Sequence, residues 1–407
     1  MTRRIGHIST GQILLAALLA LTVVLSACQP ERPSVVFVYV SLPLKVQRNS
    51  GAIVNGVKQA FDEINNHIGN TEIKLNIVND GDDAGQWLPD KEQQIATDAA
   101  NDPLTVAYIG PYNSGAAKIS IPITNKAGML QISPSTTWPG LTKVGFAQGE
   151  PAIFYPTGKR TFFRTCSTDD LQGPAAALWA RDLKFRSFYV LDDGETYGAG
   201  VAALFARRAE QIGLINLGRQ TIDKTAQDFS AVLAAVKQAN PDVVYFGGTV
   251  ANGAALIVSQ MRAMGIKSAF MGPDAIVDTA LIDGAQGAAE GVYATFVGAP
   301  ADQLTTEVGK TFYAEYKQKY NGEEPEAYAQ SGYDAARVII AAMQQADKQG
   351  QPINRANLLA YVGSGVDFNG AAGQFTFDRN GDTQVILVSG NVVQNGAFKF
   401  ARLLTER

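Results

Sequence analysis

Three short loops contain side chains that could bind a small ligand, and each loop directly follows an apolar segment. Residues 110–114 are Gly-Pro-Tyr-Asn-Ser, residues 133–137 are Ser-Pro-Ser-Thr-Thr, and residues 272–274 are Gly-Pro-Asp. Hydroxyl groups both donate and accept hydrogen bonds, whereas a carboxylate only accepts them. This mixture suits a zwitterion, because its carboxylate needs donors and its ammonium needs acceptors. The loops therefore indicate non-covalent ligand binding.

The first loop ends at Ser114, immediately before a predicted helix over residues 115–126. Ser114 can cap this helix while the free amide groups of the first turn face a cleft. A ligand carboxylate at this position would gain amide hydrogen bonds and the favourable end of the helix dipole. Helix capping without any ligand is the alternative interpretation, and the two roles are compatible.

The other two loops offer hydroxyl groups and a carboxylate. The second loop places Ser133, Ser135, Thr136 and Thr137 within five residues, although a hydroxyl-rich turn can also form without a ligand. In the third loop, Asp274 could form a charge-assisted hydrogen bond to an ammonium group. A buried ammonium without such a partner is costly. An acidic residue in an ordinary turn is the alternative for Asp274.

The elements that position these loops alternate between strand and helix. With 407 residues, of which 46% are hydrophobic, the chain can form two domains with sizeable cores. Alternation of this kind predicts parallel sheets covered by helices. Ligands of such sheets bind outside the carboxyl ends of the strands. The first unit has predicted strands at 35–40, 73–78 and 105–109, with helices at 51–66 and 91–101.

The second unit repeats the pattern, and the remainder of the chain ends in β-structure. Its predicted strands are 187–191, 243–246 and 269–271, and its predicted helices are 200–213, 228–239 and 254–264. Two long helices follow at 305–319 and 331–345, and further strands are predicted at 373–377, 385–389 and 397–400. The sequence therefore predicts two lobes of parallel sheet with a cleft between them.

The N-terminal segment has the order of features that is typical of a bacterial lipoprotein signal. Arg3 and Arg4 precede an apolar run over residues 13–25, and Leu-Ser-Ala-Cys occupies 25–28. We predict a signal peptide over 1–27, lipidation of Cys28, and a tether over 28–33, which would leave the protein extracytoplasmic and lipid-anchored. An uncleaved anchor or a buried cysteine is the alternative. The other cysteine, Cys166, would then lack a disulfide partner and is predicted to be a small buried side chain.

Taken in order, these motifs resemble the periplasmic-binding-protein type I family, specifically the Leu/Ile/Val-binding proteins of ABC transporters. The resemblance extends over essentially the whole mature chain. It depends on order and spacing, because no single motif is specific. The segments that carry it are 107–110 with Ser114, 128–137, 162–165, 169–173, 192–198, 242–248, 270–274, 290–291 and 373–378.

The resemblance implies an α/β fold of two Rossmann-like lobes joined by three crossovers, with the ligand cleft between them. We expect one lobe to contain 34–163 plus 297–374 and the other 164–296 plus 375–407. The crossovers are expected near 163–166, 292–296 and 375–377. The implied function is that of an extracytoplasmic solute-binding component of an ABC importer, with a branched-chain type of amino acid as ligand and the permease as partner.

The resemblance also implies roles for individual residues. Ser114 and Thr137 would bind the ligand α-carboxylate, the region of Asn113 and Ser135 would supply backbone contacts, and Tyr197 would close from the other lobe. Asp274 occupies a position where the family commonly has a glutamate that pairs with the α-ammonium.

Two departures from the family concern the ligand-binding pocket. Thr249 replaces an aromatic residue of the leucine-binding members, and the loop near Asn49 lacks their tryptophan. Together with Thr136, Thr249 completes our set of candidate ligand contacts. A pocket that has lost aromatic walls could prefer a ligand other than leucine.

Other functions receive less support from the sequence. Past the predicted signal peptide, His67 is the only histidine, predicted at the polar end of a helix, and there is no zinc-ligand pattern, nucleophile elbow or P-loop. We therefore expect no enzyme, cofactor or metal. The net charge of −4 and the absence of a basic tail argue against nucleic-acid binding. Residues 378–382 are expected to form a hairpin turn and 80–83 a solvated acidic loop.

Two alternatives keep the same fold. One is a ligand sensor that docks on a membrane signalling receptor, and the other is a binder of short amides, urea or aromatic acids. Fold alone does not distinguish these alternatives from amino-acid import.

Overall fold

The computed structural model describes residues 33–404. The predicted signal peptide, Cys28 and all of the predicted tether except Pro33 lie outside the described residues. Between residues 33 and 404, no helix combines the length and the apolar character needed to cross a membrane.

The first sheet has the strand order β2-β3-β1-β4-β5-β6. All neighbouring strands pair in parallel except β2, which forms an antiparallel hairpin with β3. Every residue of β4 and β5 is buried, as expected for a parallel sheet covered on both faces. The strands are β1 (Val35–Leu42), β2 (His67–Ile68), β3 (Thr71–Asn79), β4 (Thr105–Ile109), β5 (Leu130–Ser133) and β6 (Phe162–Arg164).

The second sheet has the order β15-β14-β11-β10-β9-β7-β8. Strands β7 to β11 pair in parallel, and β14 and β15 add an antiparallel edge. Its strands are β7 (Ser187–Asp192), β8 (Ile215–Thr221), β9 (Val243–Gly247), β10 (Ala269–Gly272), β11 (Tyr293–Phe296), β14 (Ser389–Gln394) and β15 (Ala397–Leu403). The short pair β12 (Phe368–Asn369) and β13 (Gln374–Phe375) forms a separate ribbon.

Helices connect the strands and cover the sheets. They are α1 (Arg48–Asp62), α2 (Pro89–Asn101), α3 (Ser114–Lys126), α4 (Asp169–Asp182), α5 (Thr196–Gln211), α6 (Ser230–Ala239), α7 (Ala254–Ala263), α8 (Thr279–Ala285), α9 (Glu307–Lys319), α10 (Ala329–Lys348) and α11 (Arg355–Val362). Short 3-10 turns occur at Pro139–Leu141, Ala152–Phe154, Val250–Asn252, Asp274–Ile276 and Ala301–Gln303.

Helices α1 and α10 cross very closely, although 266 residues separate their ends, and two glycines allow this. A Cβ atom on Gly56 would lie 2.0 Å from the carbonyl oxygen of Ala329, and one on Gly332 would lie 2.6 Å from that of Ile53. Any larger side chain at these positions would force the helices apart. The crossing attaches the late helix α10 to the first sheet.

The chain passes between the two sheets after β6, after β11 and after β13, so the predicted fold of two α/β lobes is confirmed. The positions agree with the crossovers expected near 163–166, 292–296 and 375–377. We propose that the lobes are divided as expected from the sequence, 34–163 plus 297–374 and 164–296 plus 375–407. Residues 405–407 lie outside the described part of the chain.

Several local predictions were wrong. His67 lies in strand β2 and not in a helix. Residues 385–388 are not a strand, because β14 begins only at Ser389. Asp80 is fully buried and not solvated. The hairpin turn at 378–382 is confirmed, since Phe377 and Thr383 form an antiparallel bridge across it.

Arg164 is fully buried at the first crossover and joins three segments of the chain. Its Nε donates to Asp382 Oδ1 at 2.7 Å, and its Nη1 donates to the carbonyl oxygens of Thr136 and Trp138, each at 2.9 Å. Burial acts to raise the pKa of Asp382, but the charges of Arg164 and Lys143 outweigh this effect and hold the pKa below its ordinary value. The pair thus connects the hairpin turn to the loop after β5.

Replacing Asp382 by asparagine should strongly destabilise the protein. The Arg164 guanidinium would remain buried without its counter-charge, so we expect the free energy of unfolding to fall by about 3–5 kcal/mol. Chemical denaturation followed by circular dichroism measures this quantity. The control is Asp182→Asn, which breaks the exposed pair with Arg402 and should cost less than about 1 kcal/mol. Similar losses in both variants would contradict the role assigned to the buried pair.

Candidate functional site

A small cavity, of about 10 Å³, lies between the lobes, at the carboxyl ends of strands from both sheets. Its position is the one expected for ligands of open α/β sheets. The structure brings together six of the eight predicted contacts in its wall, namely Asn113, Ser114, Ser135, Tyr197, Thr249 and Asp274. Tyr112 and Ala275 also line the cavity, although neither was predicted from the sequence to contact a ligand.

The N-terminus of α3 forms part of the first lobe's wall. Asn113 is the N-cap residue, and Ser114 is the first helical residue, so the expectation that Ser114 caps the helix was wrong. The Asn113 side chain makes no capping hydrogen bond, and its Oδ1 atom is buried without a partner among the described residues. Ser114 Oγ accepts a hydrogen bond from Trp138 N at 3.2 Å. This wall therefore presents the amide groups of a helix end and an uncommitted carboxamide.

The loop after β5 is ordered by its own hydroxyl groups. Ser133 Oγ donates to Pro111 O at 2.8 Å and accepts from Thr136 N at 3.0 Å. Ser135 Oγ donates to Tyr112 O at 3.3 Å. Thr136 and Thr137 are fully buried, are not among the cavity-lining residues, and have hydroxyl oxygens without a hydrogen-bond partner in residues 33–404.

Asp274 forms the acidic end of the cavity wall in the second lobe. Its Oδ1 atom accepts from Tyr197 Oη and from Gln172 Nε2, each at 2.7 Å, and its Oδ2 atom accepts from Tyr328 Oη. Burial raises the pKa of Asp274 to about 6, and the hydrogen bonds from Tyr328 and Tyr197 limit this increase. Three donors therefore stabilise a carboxylate that has been almost completely removed from water.

A second buried carboxylate, Asp169, lies near Asp274. Both of its oxygen atoms lack a hydrogen-bond partner among the described residues. Burial and the negative charge of Asp274 raise the pKa of Asp169 well above its ordinary value. The two groups oppose each other's ionisation, so we place the charge on the hydrogen-bonded Asp274 and the proton on Asp169. This side of the site therefore favours a cationic group.

No role was predicted from the sequence for Asp169, Gln172, Tyr112 or Tyr328. Asp169 and Gln172 lie in the 169–173 motif, which contributes to the family resemblance but was given no role in binding. Tyr112 lies in the first polar loop. No sequence motif indicated a binding role for Tyr328, because it precedes α10 and reaches Asp274 only through tertiary folding.

Direct contacts between the lobes surround the cavity. Asn49 donates from its backbone N to Asp278 Oδ2 and from its Nδ2 to Val277 O, each at 3.0 Å. Trp138 of the first lobe packs against Gly200 on α5, where a Cβ atom would lie 2.4 Å from the indole ring. The lobes are therefore closed around the site.

A larger groove of about 380 Å³ runs between β15 and the segment before α10. Its acidic groups already have partners, because Glu324 accepts from Tyr313 and Lys317, and Glu326 accepts from Thr279. Neither this groove nor the rest of residues 33–404 contains three or more His, Cys, Asp or Glu side chains placed to hold a metal ion. The smaller cavity therefore has the more suitable chemistry for a ligand.

Proteins of known sequence match most of the chain. A family model described as "Periplasmic binding protein" matches residues 46–390. The Leu/Ile/Val-binding protein homolog 1 of Brucella abortus (strain 2308) is 30% identical over 337 residues, which are 82% of this chain and 83% of the relative. An amino acid binding protein of Pseudomonas aeruginosa is 28% identical over 294 residues, or 72% and 73% of the two chains.

Solved structures show the same fold. The leucine binding protein LivK of Thermotoga maritima has a TM-score of 0.80 and 26% identity, covering 91% of this chain and 99% of that one. LivJ of Streptococcus pneumoniae, solved with isoleucine, has a TM-score of 0.78 and 23% identity over 91% and 100% of the chains, a likeness of fold alone. This chain belongs to the periplasmic binding protein family and has the two-lobed type I fold of the Leu/Ile/Val-binding proteins.

Proposed function

We propose that this protein binds an amino acid in the cavity between its lobes and delivers it to the membrane permease of an ABC importer. One observation carries the proposal: the N-terminus of α3 and the carboxylate of Asp274 line the same small cavity from opposite lobes. The helix end suits an α-carboxylate, and Asp274 suits an α-ammonium. A zwitterion would thus be held between the lobes.

The relatives support this proposal through their family and their named ligands. The family consists of solute-binding proteins that act outside the cytoplasm, which agrees with a substrate-binding and non-enzymatic role. The ligands named for the relatives make branched-chain amino acids the first compounds to test. We further propose that Cys28 carries the lipid anchor that keeps the protein beside its permease. Mass spectrometry of the membrane-extracted protein tests the anchor, since the signal peptide should be absent and Cys28 acylated.

Replacing Asp274 by asparagine should weaken amino-acid binding at least tenfold. The variant loses a charge-assisted hydrogen bond to the ammonium, which is worth about 1.5–3 kcal/mol. Isothermal titration calorimetry measures the dissociation constant. Asp334→Asn is the matched control, because Asp334 is also fully buried with a pKa raised to about 6 but does not line the cavity. Unchanged affinity in the Asp274 variant would show that the ammonium assignment is wrong.

Amino-acid affinity should also depend on pH. Because burial raises the pKa of Asp274 to about 6 in the free protein, the carboxylate is ionised above this pH and protonated below it. A protonated Asp274 no longer attracts an ammonium, so affinity should fall as the pH drops below about 6, approaching tenfold per pH unit. Calorimetric titrations between about pH 5 and about pH 8 test this dependence. The same decrease in the Asp274→Asn variant would exclude Asp274 as its cause.

Replacing Thr137 by valine should weaken binding about fivefold if its hydroxyl donates to the ligand carboxylate, since one such bond contributes roughly 1 kcal/mol. The side-chain hydroxyl is buried near the Asp169 carboxyl without a well-formed hydrogen bond, and valine keeps the shape, so little structural change is expected. The melting temperature of the ligand-free variant checks the fold. An affinity equal to that of the unmodified protein would remove Thr137 from the binding site.

A further inference from the structure

Most residues that line the cavity carry a side-chain oxygen, which is unexpected for a site that would bind an aliphatic side chain. Of its eight lining residues, only Ala275 lacks a side-chain oxygen. No valine, leucine, isoleucine, methionine or phenylalanine is among them. A branched aliphatic ligand gains affinity mainly by burying its side chain against apolar surface. Apart from the tyrosine rings and Ala275, this wall offers such a ligand no apolar side chain.

The polar groups can be divided by the part of an amino acid that they suit, and this division depends on the proposed function. Ser114 and Ser135 lie with the helix end that suits the α-carboxylate, and Asp274 with Tyr197 suits the α-ammonium. Tyr112, Asn113 and Thr249 remain for the ligand side chain. The Thr249 hydroxyl already accepts from Asn252 N at 3.2 Å, as the cap of the following turn.

Two groups in this part of the wall are uncommitted among the described residues, the Tyr112 hydroxyl and the Asn113 side chain. Asn113 is only 9% exposed, it makes no capping bond to α3, and its Oδ1 atom has no partner in residues 33–404. A buried carbonyl oxygen without a partner is unfavourable, and a bound ligand that cannot donate to it would keep it so. A ligand hydroxyl would satisfy it whichever way the amide is oriented, because a hydroxyl both donates and accepts.

We propose that the ligand is a small amino acid whose side chain carries a hydrogen-bonding group, such as a hydroxyl, and that Asn113 selects it over aliphatic amino acids. The closed cavity has only about 10 Å³ of free space, so a small ligand requires the least separation of the lobes. Sites with buried polar groups reject analogues that lack the matching group far more strongly than apolar pockets reject an added hydroxyl.

L-threonine and L-valine provide a matched pair of ligands, because they have the same shape and differ by a hydroxyl in place of a methyl group. In calorimetry with the full-length protein, L-threonine should bind at least tenfold more tightly than L-valine, which corresponds to about 1.4 kcal/mol. In the Asn113→Leu variant, the ratio of the two dissociation constants should fall to about one or reverse, through loss of threonine binding and not of valine binding.

Each of the other possible outcomes would contradict a specific part of the proposal. Tighter binding of L-valine or L-leucine than of L-threonine would overturn this inference and leave the proposed amino-acid function intact. An unchanged threonine-to-valine ratio in Asn113→Leu would remove Asn113 as the selecting residue. Binding of no L-amino acid would overturn the proposed function, and this inference with it. If Asn113→Leu does not fold, as judged by its melting curve, Asn113→Ala is used for the same comparison.

Discussion

The two lobes and the ligand loops depend on one buried guanidinium, that of Arg164, at the first passage between the sheets. Complete burial of a positive charge is unfavourable unless it has a counter-charge and a full set of hydrogen bonds. Asp382 supplies the charge, and the carbonyl oxygens of Thr136 and Trp138 supply acceptors. Because these partners belong to the third passage and to the loop after β5, one side chain fixes the loop that carries Ser135 relative to two of the passages between the lobes.

A second constraint acts at the opposite end of the cavity, where two carboxylates are withdrawn from water. Asp274 has three hydrogen-bond donors, whereas Asp169 has no hydrogen-bond partner among the described residues. Tyr328 comes from the first lobe and Tyr197 from the second, so the donors to Asp274 themselves span the cleft. The hydrogen bonds to Asp274 are therefore complete only when the two lobes are close together. A cation bound there would favour the closed arrangement.

The sequence allowed the fold and much of the site to be predicted for one geometric reason. In parallel sheets the carboxyl ends of the strands lie at one edge, so polar loops after β4, β5 and β10 had to face a common cleft. Tyr328 could not be predicted in the same way, because it lies between two helices and does not follow a strand of either sheet. The edge strand β8 was missed because its residues are mostly exposed and show no burial alternation. Asp80 was misjudged because a run of acidic residues does not reveal which one is buried.

The contact of Trp138 with Gly200 sets a limit on how far the cleft can close. Because the glycine has no side chain, the indole ring can reach the backbone of α5 directly, and even a methyl group would act as a spacer between the lobes. If the lobes separate to admit a ligand, its dissociation constant includes the free energy of closing them, so a residue that does not touch the ligand can change the dissociation rate. Affinity in this architecture can therefore be tuned at the rim, independently of the chemistry that recognises the ligand.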